Sequence, residues 1–152
     1  IAKNEGAKLR MGGGPATRPE CGKGWFVEPT IFTGVDNKMR IAQEEVFGPV
    51  LSIIPFKDEE DAVRIANDVR FGLGAGVWTR DVGRAIRMSE RIKAGTVWVN
   101  TYRAVSFMSP FGGYKDSGMG RENGQSAIYE YLQMKSVWIN TGVKTGNPFV
   151  MR

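Results

Sequence analysis

The sequence of 152 residues contains no histidine. This absence excludes a Ser-His-Asp or Cys-His catalytic group, a metal held by imidazole and a histidine pH switch. Cys21 is the one cysteine, so the chain can form neither an internal disulfide nor a cysteine-ligated zinc cluster. Its apolar runs fall short of the roughly 18 residues of a membrane span, and we expect no membrane contact. Any catalysis must therefore use carboxylates, lysines, a tyrosine or this one thiol.

The first residues lack an initiator methionine and the features of a secretory signal. We therefore expect the chain to belong to a longer polypeptide. A single cysteine fits a reducing compartment, so the predicted location is the cytoplasm. The composition, with 41% hydrophobic and 24% charged residues, is that of an ordinary soluble domain.

The net charge of +5 is concentrated in the carboxyl-terminal half of the sequence. Much of it forms a stripe with the spacing of one helix face, made of Arg80, Arg84, Arg87 and Arg91. Nucleic-acid binding would need aromatic residues or a groove-fitting motif beside such a stripe, and the sequence has neither there. We therefore expect a solvated helix face and no nucleic-acid partner.

Strand and helix patterns alternate between residues 50 and 100. An apolar run at 50–56 has the length of a strand, and Asp58 followed by three acidic residues is typical of a helix start. A second strand pattern, the arginine-bearing helix and a third strand pattern at 96–100 come next. This order predicts an α/β fold with parallel strands. Further on, we predict a short helix near 126–132 and a last strand at 136–141.

Two adjacent carboxylates, Glu44 and Glu45, end a short helix that is predicted to begin at Asp36. The helix dipole disfavours negative charge at this end, so local stability explains neither residue. A carboxylate can accept hydrogen bonds from both hydroxyls of a ribose diol. The pattern leaves two interpretations open: a ribose site, or two exposed side chains.

A glycine-rich loop at 106–124 contains both Lys115 and Glu122. Its glycine spacing misses the dinucleotide-binding fingerprint, and no strand leads directly into the glycines. A Lys115–Glu122 pair could relay protons if partly buried, and a surface ion pair is the alternative. Cys21 lies in a polar loop with no base in reach, which favours an ordinary surface thiol.

Several motifs, in one order over residues 1–142, resemble those of NAD(P)-dependent aldehyde dehydrogenases, above all the betaine-aldehyde and aminoaldehyde members. They are EEVFGPV at 44–50, GWFVEPT at 24–30, FGL at 71–73 with GVWT at 76–79, GTVWVN at 95–100 and SPFGGYK at 109–115.

The resemblance implies a three-layer αβα architecture with a mostly parallel sheet. Residues 1–131 then belong to the catalytic domain, and residues 132–152 form an oligomerisation strand and tail. The implied reaction oxidises an aldehyde to a carboxylic acid with NAD or NADP. In the family the nucleophilic cysteine, the general-base glutamate and the Rossmann domain lie upstream, outside this sequence. We therefore expect the chain alone to be inactive and to need a missing amino-terminal part.

The resemblance also assigns roles to cofactor-side residues. It implies that Glu45 binds the nicotinamide ribose and that Phe47 positions the nicotinamide ring. Backbone positions Lys115 and Gly118 match those that bind potassium in betaine-aldehyde members.

Other residues match the substrate side of the family. Phe111 matches a wall of the substrate tunnel, with Tyr102 and Val105 beside it, and Glu122 matches a residue with a proton-relay role. The loop at 103–107 departs from the family pattern, which leaves the identity of the small aldehyde open.

A homo-oligomer, dimer or tetramer, is implied because residues 135–141 resemble a strand that joins a neighbouring subunit's sheet. The alternative from another functional class is a natural, non-catalytic assembly module.

Overall fold

The computed structural model describes residues 1–142 and Phe149, and helices and strands alternate along this part of the chain. The helices are α1 (Arg40–Gln43), α2 (Glu59–Asn67) and α3 (Val82–Arg91). The strands are β1 (Lys8–Met11), β2 (Thr30–Thr33), β3 (Val50–Ser52), β4 (Phe71–Gly72), β5 (Gly74–Val77), β6 (Thr96–Val99) and β7 (Tyr114–Lys115). Pro19–Cys21 and Gln125–Tyr131 form 3-10 helices. The predicted α/β class is confirmed.

The described strands form three short sheets. Strand β2 pairs parallel with β3, and β5 pairs parallel with β6. A helix connects each parallel pair, α1 the first and α3 the second, as parallel connections require. The remaining pairs, β1 with β2 and β4 with β7, are antiparallel. The predicted parallel strands are therefore present, with antiparallel partners on β2 and β4.

Three predicted elements differ in extent or type. The helix expected from Asp36 begins only at Arg40, because the Asp36 carboxylate accepts a hydrogen bond from the Lys38 N–H and closes a turn. The helix expected near 126–132 is the 3-10 helix Gln125–Tyr131. Residues 136–141 pair with no strand in the described part of the chain and are exposed. A strand is defined by its partner, so local pattern alone does not form one there.

Two small apolar cores lie beneath these elements. One is formed where α2 and α3 pack on the β5–β6 pair and contains Val63, Val77 and Met88. The other lies around β2 and contains Phe32 and Val35. Among the described residues no large side chain is less than 2% exposed. Outside these cores large apolar side chains stay exposed, including Trp25, Phe47, Met119, Met134 and Trp138.

Three arginines of the stripe pair with α2 at the protein surface. Arg84 and Arg87 on α3 contact the Glu59 carboxylate at 3.3 and 2.9 Å, and Arg91 pairs with Glu60. Because both helices pack on one core, the basic face of α3 lies beside the acidic first turn of α2. The face is solvated as expected, since these side chains stay 36–52% exposed, and the sequence did not predict their partners.

The first turn of α2 is also capped as predicted. The Asp61 N–H donates to the Asp58 carboxylate at 2.8 Å, and α3 repeats the arrangement with Asp81 and the Arg84 N–H at 3.0 Å. These caps satisfy amide groups that have no partner inside the helix. Both helix starts are therefore fixed by local sequence.

The carboxyl-terminal end of α2 joins several parts of the chain. The Asn67 side chain donates to the Arg91 carbonyl at 2.8 Å and accepts from the Lys93 N–H at 2.7 Å. The Lys115 ammonium donates to the carbonyls of Asn67 and Val69, both at 2.9 Å. These bonds attach the end of α3 and strand β7 to the end of α2.

The region of α1 is attached to the same point. The Asp68 carbonyl accepts hydrogen bonds from the side chains of Asn37, at 2.8 Å, and Gln43, at 2.7 Å. The Gln43 amide also donates to the Asn37 carbonyl at 2.6 Å. Carbonyls that a helix end leaves without an internal partner thus bind side chains from elsewhere.

We expect Asn67→Ala to lower the free energy of unfolding by about 1–3 kcal/mol, because it removes two hydrogen bonds and leaves the Arg91 carbonyl, in a partly buried bond, without this donor. Equilibrium unfolding in urea measures this change. Asn140→Ala is the control, since the Asn140 side chain bonds only locally, to the Gly142 N–H. Equal stability of the two variants would contradict the role of Asn67.

The ion pairs of Glu59 predict an acid-dependent loss of stability. Hydrogen bonds from Arg87, and then Arg84, lower the pKa of Glu59 from 4.5 to about 2. A lowered carboxyl pKa stabilises the fold above pH 4.5, and this contribution is lost as the pH falls toward 2.

Glu59→Gln should therefore flatten the decline in unfolding free energy between pH 4.5 and 2. Denaturant unfolding at a series of pH values measures the slope. Glu90→Gln is the control, because Glu90 on α3 forms no ion pair in the described part of the chain. The pairing is wrong if Glu59→Gln and the unmodified chain share one slope.

Candidate functional site

The two adjacent glutamates after α1 differ in their partners. The Arg40 guanidinium holds Glu44 with two hydrogen bonds of 2.8 Å, one to each carboxylate oxygen. These hydrogen bonds lower the pKa of Glu44. The Glu45 side chain has no hydrogen bond or ion pair to any described residue. One carboxylate is thus used by the fold, and the other is available to a ligand.

The chain turns sharply just after Glu45. Phe47 has a φ of 51°, in the left-handed region that costs a residue with a side chain about 1–2 kcal/mol. Its ring is 93% exposed. The next residues are anchored, since the Thr30 N–H donates to the Pro49 carbonyl at 2.8 Å. The turn presents a flat apolar ring two residues from a free carboxylate.

A cleft of about 590 Å³ borders Glu45. Its other walls come from the end of α2, from β4 and β5 and from the glycine-rich loop, including Ala66, Gly72, Ala75, Lys93 and Ser117. The cleft therefore separates the region of α1 from the elements on the other core. Glu44 lines this cleft as well, whereas Phe47 is not among the described residues that line it. A ribose fits the Glu45 carboxylate, because a carboxylate accepts hydrogen bonds from hydroxyls.

The three residues matched to the substrate tunnel lie together. Phe111, Tyr102 and Val105 line one cavity of about 530 Å³. The Trp98 indole supports this wall: its N–H donates to the Ala104 carbonyl at 2.7 Å, and its ring meets the Tyr102 ring edge-on at 5.6 Å. The structure thus groups these residues, and their contact with an aldehyde stays a prediction.

Glu122 lies on the other side of Phe111. The two residues exchange backbone hydrogen bonds of 2.8 and 2.7 Å, which form an isolated antiparallel bridge. Glu122 lines a neighbouring cavity of about 620 Å³, together with Phe111, Arg121 and Glu130. The structure places Glu122 near the substrate-side residues, while its proton-relay role stays a prediction.

Lys115 and Glu122 form no pair in the described structure. The Lys115 ammonium is held instead by the carbonyls of Asn67 and Val69. Neither the proton-relay pair nor the surface ion pair is therefore present. The physical reason is that the end of α2 offers two carbonyls at hydrogen-bond distance to a cation on β7.

The backbone at Lys115 and Gly118 forms a tight turn. Both residues have positive φ, 54° and 119°, and the Gly118 N–H reaches the Lys115 carbonyl at a long 3.4 Å. The potassium role of these two backbone positions stays a prediction. No group of three or more acidic, histidine or cysteine side chains suited to a metal occurs in the described residues.

Cys21 closes the 3-10 helix Pro19–Cys21, is partly exposed and lines none of the cavities above. It takes no part in the site. No helix in the described range is long and apolar enough to cross a bilayer.

Sequence reasoning missed two residues that shape the site. Arg40 decides which glutamate is free, and its spacing of four from Glu44 was a readable helical ion-pair signal. Trp98 supports the substrate-side wall, and only the fold shows its bond to the Ala104 carbonyl.

Comparison with known proteins identifies the family. A sequence model described as the aldehyde dehydrogenase family matches residues 1–137. The chain is 50% identical to a betaine aldehyde dehydrogenase of Brucella anthropi over 97% of its own length. It spans about 30% of the length of that relative.

Solved structures agree. A betaine aldehyde dehydrogenase from Staphylococcus aureus in complex with NAD+ matches 99% of this chain and 30% of its own, with 42% identity and a TM-score of 0.91. The aldehyde dehydrogenase KauB from Pseudomonas aeruginosa matches 91% of this chain and 28% of its own, with 51% identity and a TM-score of 0.84. This chain belongs to the aldehyde dehydrogenase family.

Proposed function

We propose that this chain is the carboxyl-terminal part of an enzyme that oxidises an aldehyde to a carboxylic acid with NAD+, in the cytoplasm. The observation that carries the proposal is the free Glu45 carboxylate beside the paired Glu44. Relatives named betaine aldehyde dehydrogenase and a similar structure in complex with NAD+ support it.

Glu45 and Phe47 are the residues proposed to hold the cofactor. Bound NAD+ supplies the acceptor for the hydride that the aldehyde carbon loses. The Glu45 carboxylate accepts hydrogen bonds from the hydroxyls of the nicotinamide ribose, and the exposed Phe47 ring limits where the nicotinamide lies. Both contacts orient the cofactor relative to the substrate, which is how positioning lowers a barrier.

Phe111, Tyr102 and Val105 are proposed to bind the aldehyde, and Glu122 to move protons near it. Phe111, Tyr102 and Val105 share one cavity, and Glu122 lines the neighbouring one together with Phe111. The nucleophilic cysteine and the general-base glutamate are proposed to lie in the part of the relatives that this chain does not match. Since Cys21 stands apart from these cavities, we expect the chain alone to oxidise no aldehyde.

Glu45→Gln in the full-length enzyme should raise the KM for NAD+ at least about tenfold, because hydrogen bonds to a charged group contribute roughly 1.5–3 kcal/mol. The turnover number should fall as well, because the nicotinamide is less well oriented. Steady-state kinetics with varied NAD+ measures both values.

Glu44→Gln is the matched control, because it also removes one carboxylate charge, at the neighbouring residue. The Glu44 carboxylate is already bound by Arg40. It should leave the KM for NAD+ within about twofold. An unchanged KM and turnover number in Glu45→Gln would disprove the ribose role.

A second function, subunit assembly, is favoured by the exposed segment after the 3-10 helix Gln125–Tyr131. Met134, Trp138 and Ile139 are 97%, 95% and 81% exposed there. We propose that residues 132–152, of which the structure describes 132–142 and Phe149, form an oligomerisation strand and tail, while residues 1–131 belong to the catalytic domain. An extended apolar segment of this kind gains partners by joining another sheet.

Trp138→Asp should convert a full-length dimer or tetramer into smaller species, because a charge in an apolar subunit contact is costly. Light scattering after gel filtration measures the mass, and Lys135→Gln is the control for a polar change in the same segment. A full-length protein that is a monomer before substitution would end the assembly proposal. A natural polypeptide of about 16.8 kDa would instead favour a non-catalytic assembly module.

A further inference from the structure

We propose that Arg103 selects aldehydes that carry an anionic group away from the carbonyl, and disfavours cationic aldehydes. The inference rests on the proposed function, because it names the substrate class of the same site. It is carried by the side chains that line the cavity of Phe111, Tyr102 and Val105.

Arg103 is the single charged side chain on that cavity, in the part of the chain that the structure describes. The other lining residues are apolar, aromatic or glycine: Leu73, Gly74, Trp98, Tyr102, Val105 and Phe111. Arg103, Tyr102 and Val105 are exposed, so a charged ligand would meet the guanidinium at the described surface, where opposite charges a few ångströms apart attract. The charge of the far end of the substrate therefore matters in this cavity.

The Arg103 guanidinium contacts an aromatic ring and forms no ion pair with a described carboxylate. Its central carbon lies 5.7 Å from the centroid of the Tyr102 ring, in a cation–π contact. This contact uses none of the guanidinium N–H groups in a hydrogen bond to a described residue, so they can donate to a carboxylate. No described carboxylate or carbonyl accepts a hydrogen bond from Arg103.

Most other arginines of the described structure differ in this respect. Those paired with a carboxylate are Arg18, Arg40, Arg64, Arg70, Arg84, Arg87 and Arg91. Arg121 is held by the carbonyls of Gly113 and Gly120. Arg103 thus combines a free fork of donors with a place on the substrate-side cavity.

Local backbone contacts also fix the position from which the Arg103 side chain extends. Its φ is 58°, and the neighbouring Ala104 carbonyl accepts the Trp98 indole N–H at 2.7 Å. These constraints hold the loop against a strand residue, so the cation is positioned by the fold and not by a flexible tail.

The neighbours of Arg103 make its charge decisive. An aromatic enclosure alone suits a quaternary ammonium, because aromatic faces attract cations. The rings of Trp98, Tyr102 and Phe111 would favour the cationic aldehyde after which the betaine aldehyde dehydrogenases are named. A guanidinium on the same wall repels that cation and attracts a carboxylate.

The test uses the full-length enzyme with NAD+ and three small aldehydes: succinic semialdehyde, which is anionic, butanal, which is neutral, and betaine aldehyde, which is cationic. We expect kcat/KM to fall in that order. Arg103→Gln should lower kcat/KM for succinic semialdehyde by at least about tenfold, through KM, since a charged hydrogen bond is lost. The value for butanal should stay within twofold.

Three further variants separate charge from structure. Arg103→Lys keeps the charge and should retain most of the preference for the anionic aldehyde. Arg80→Gln removes the same charge outside this cavity and should change none of the three values. Arg103→Glu should raise kcat/KM for betaine aldehyde above that for succinic semialdehyde.

Preference of the unmodified enzyme for betaine aldehyde would overturn the inference, as would an equal loss for all three aldehydes in Arg103→Gln. Both results would leave the proposed dehydrogenase function intact. Absence of NAD+ reduction with every aldehyde would instead overturn the proposed function itself.

Discussion

The backbone carbonyls at the carboxyl-terminal end of α2 cannot be satisfied within the helix, and the described structure is arranged around this requirement. Side chains from two regions supply missing donors: Asn37 and Gln43 from the region of α1, and Lys115 on β7. The Asn67 side chain adds the end of α3. The two cores are small, so these polar contacts carry much of the connection between them.

The position of the site follows from the same contacts. Gln43 ends α1, so its bond to the Asp68 carbonyl places the Glu44–Glu45 pair beside the cleft. The Lys115 ammonium binds the Val69 carbonyl and so attaches β7 and the glycine-rich loop to the end of α2. This loop, which contains Phe111, lies on the side opposite the Glu44–Glu45 pair. The Glu45 carboxylate and the cavity of Phe111, Tyr102 and Val105 are thereby positioned relative to one helix end. The geometry of the proposed site therefore depends on where α2 ends.

Local signals in the sequence were sufficient to predict the helices α2 and α3. The acidic helix start at Asp58 predicted the beginning of α2, and the helical spacing of the arginines predicted α3, because both effects act within one or two turns. The cap of α3 at Asp81 was not predicted. The partners of the arginine stripe were not predicted, since Glu59 and the arginines belong to different helices. The prediction of a Lys115–Glu122 pair was wrong for a related reason. The two residues are close in sequence, but Lys115 binds carbonyls at the end of α2, which is distant in sequence. The ribose interpretation of the glutamates came from the sequence, and the Arg40 contact identifies which of them is free.

The large apolar side chains that stay exposed give the chain a surface that other protein can cover. This agrees with a family whose matched relatives are about three times as long. The most direct measurement is a crystal structure of the full-length protein with NAD+. We predict that the Glu45 carboxylate lies about 2.6–3.0 Å from both hydroxyls of the nicotinamide ribose, while Glu44 stays on Arg40. A ribose held by other residues, with Glu45 facing solvent, would contradict the account.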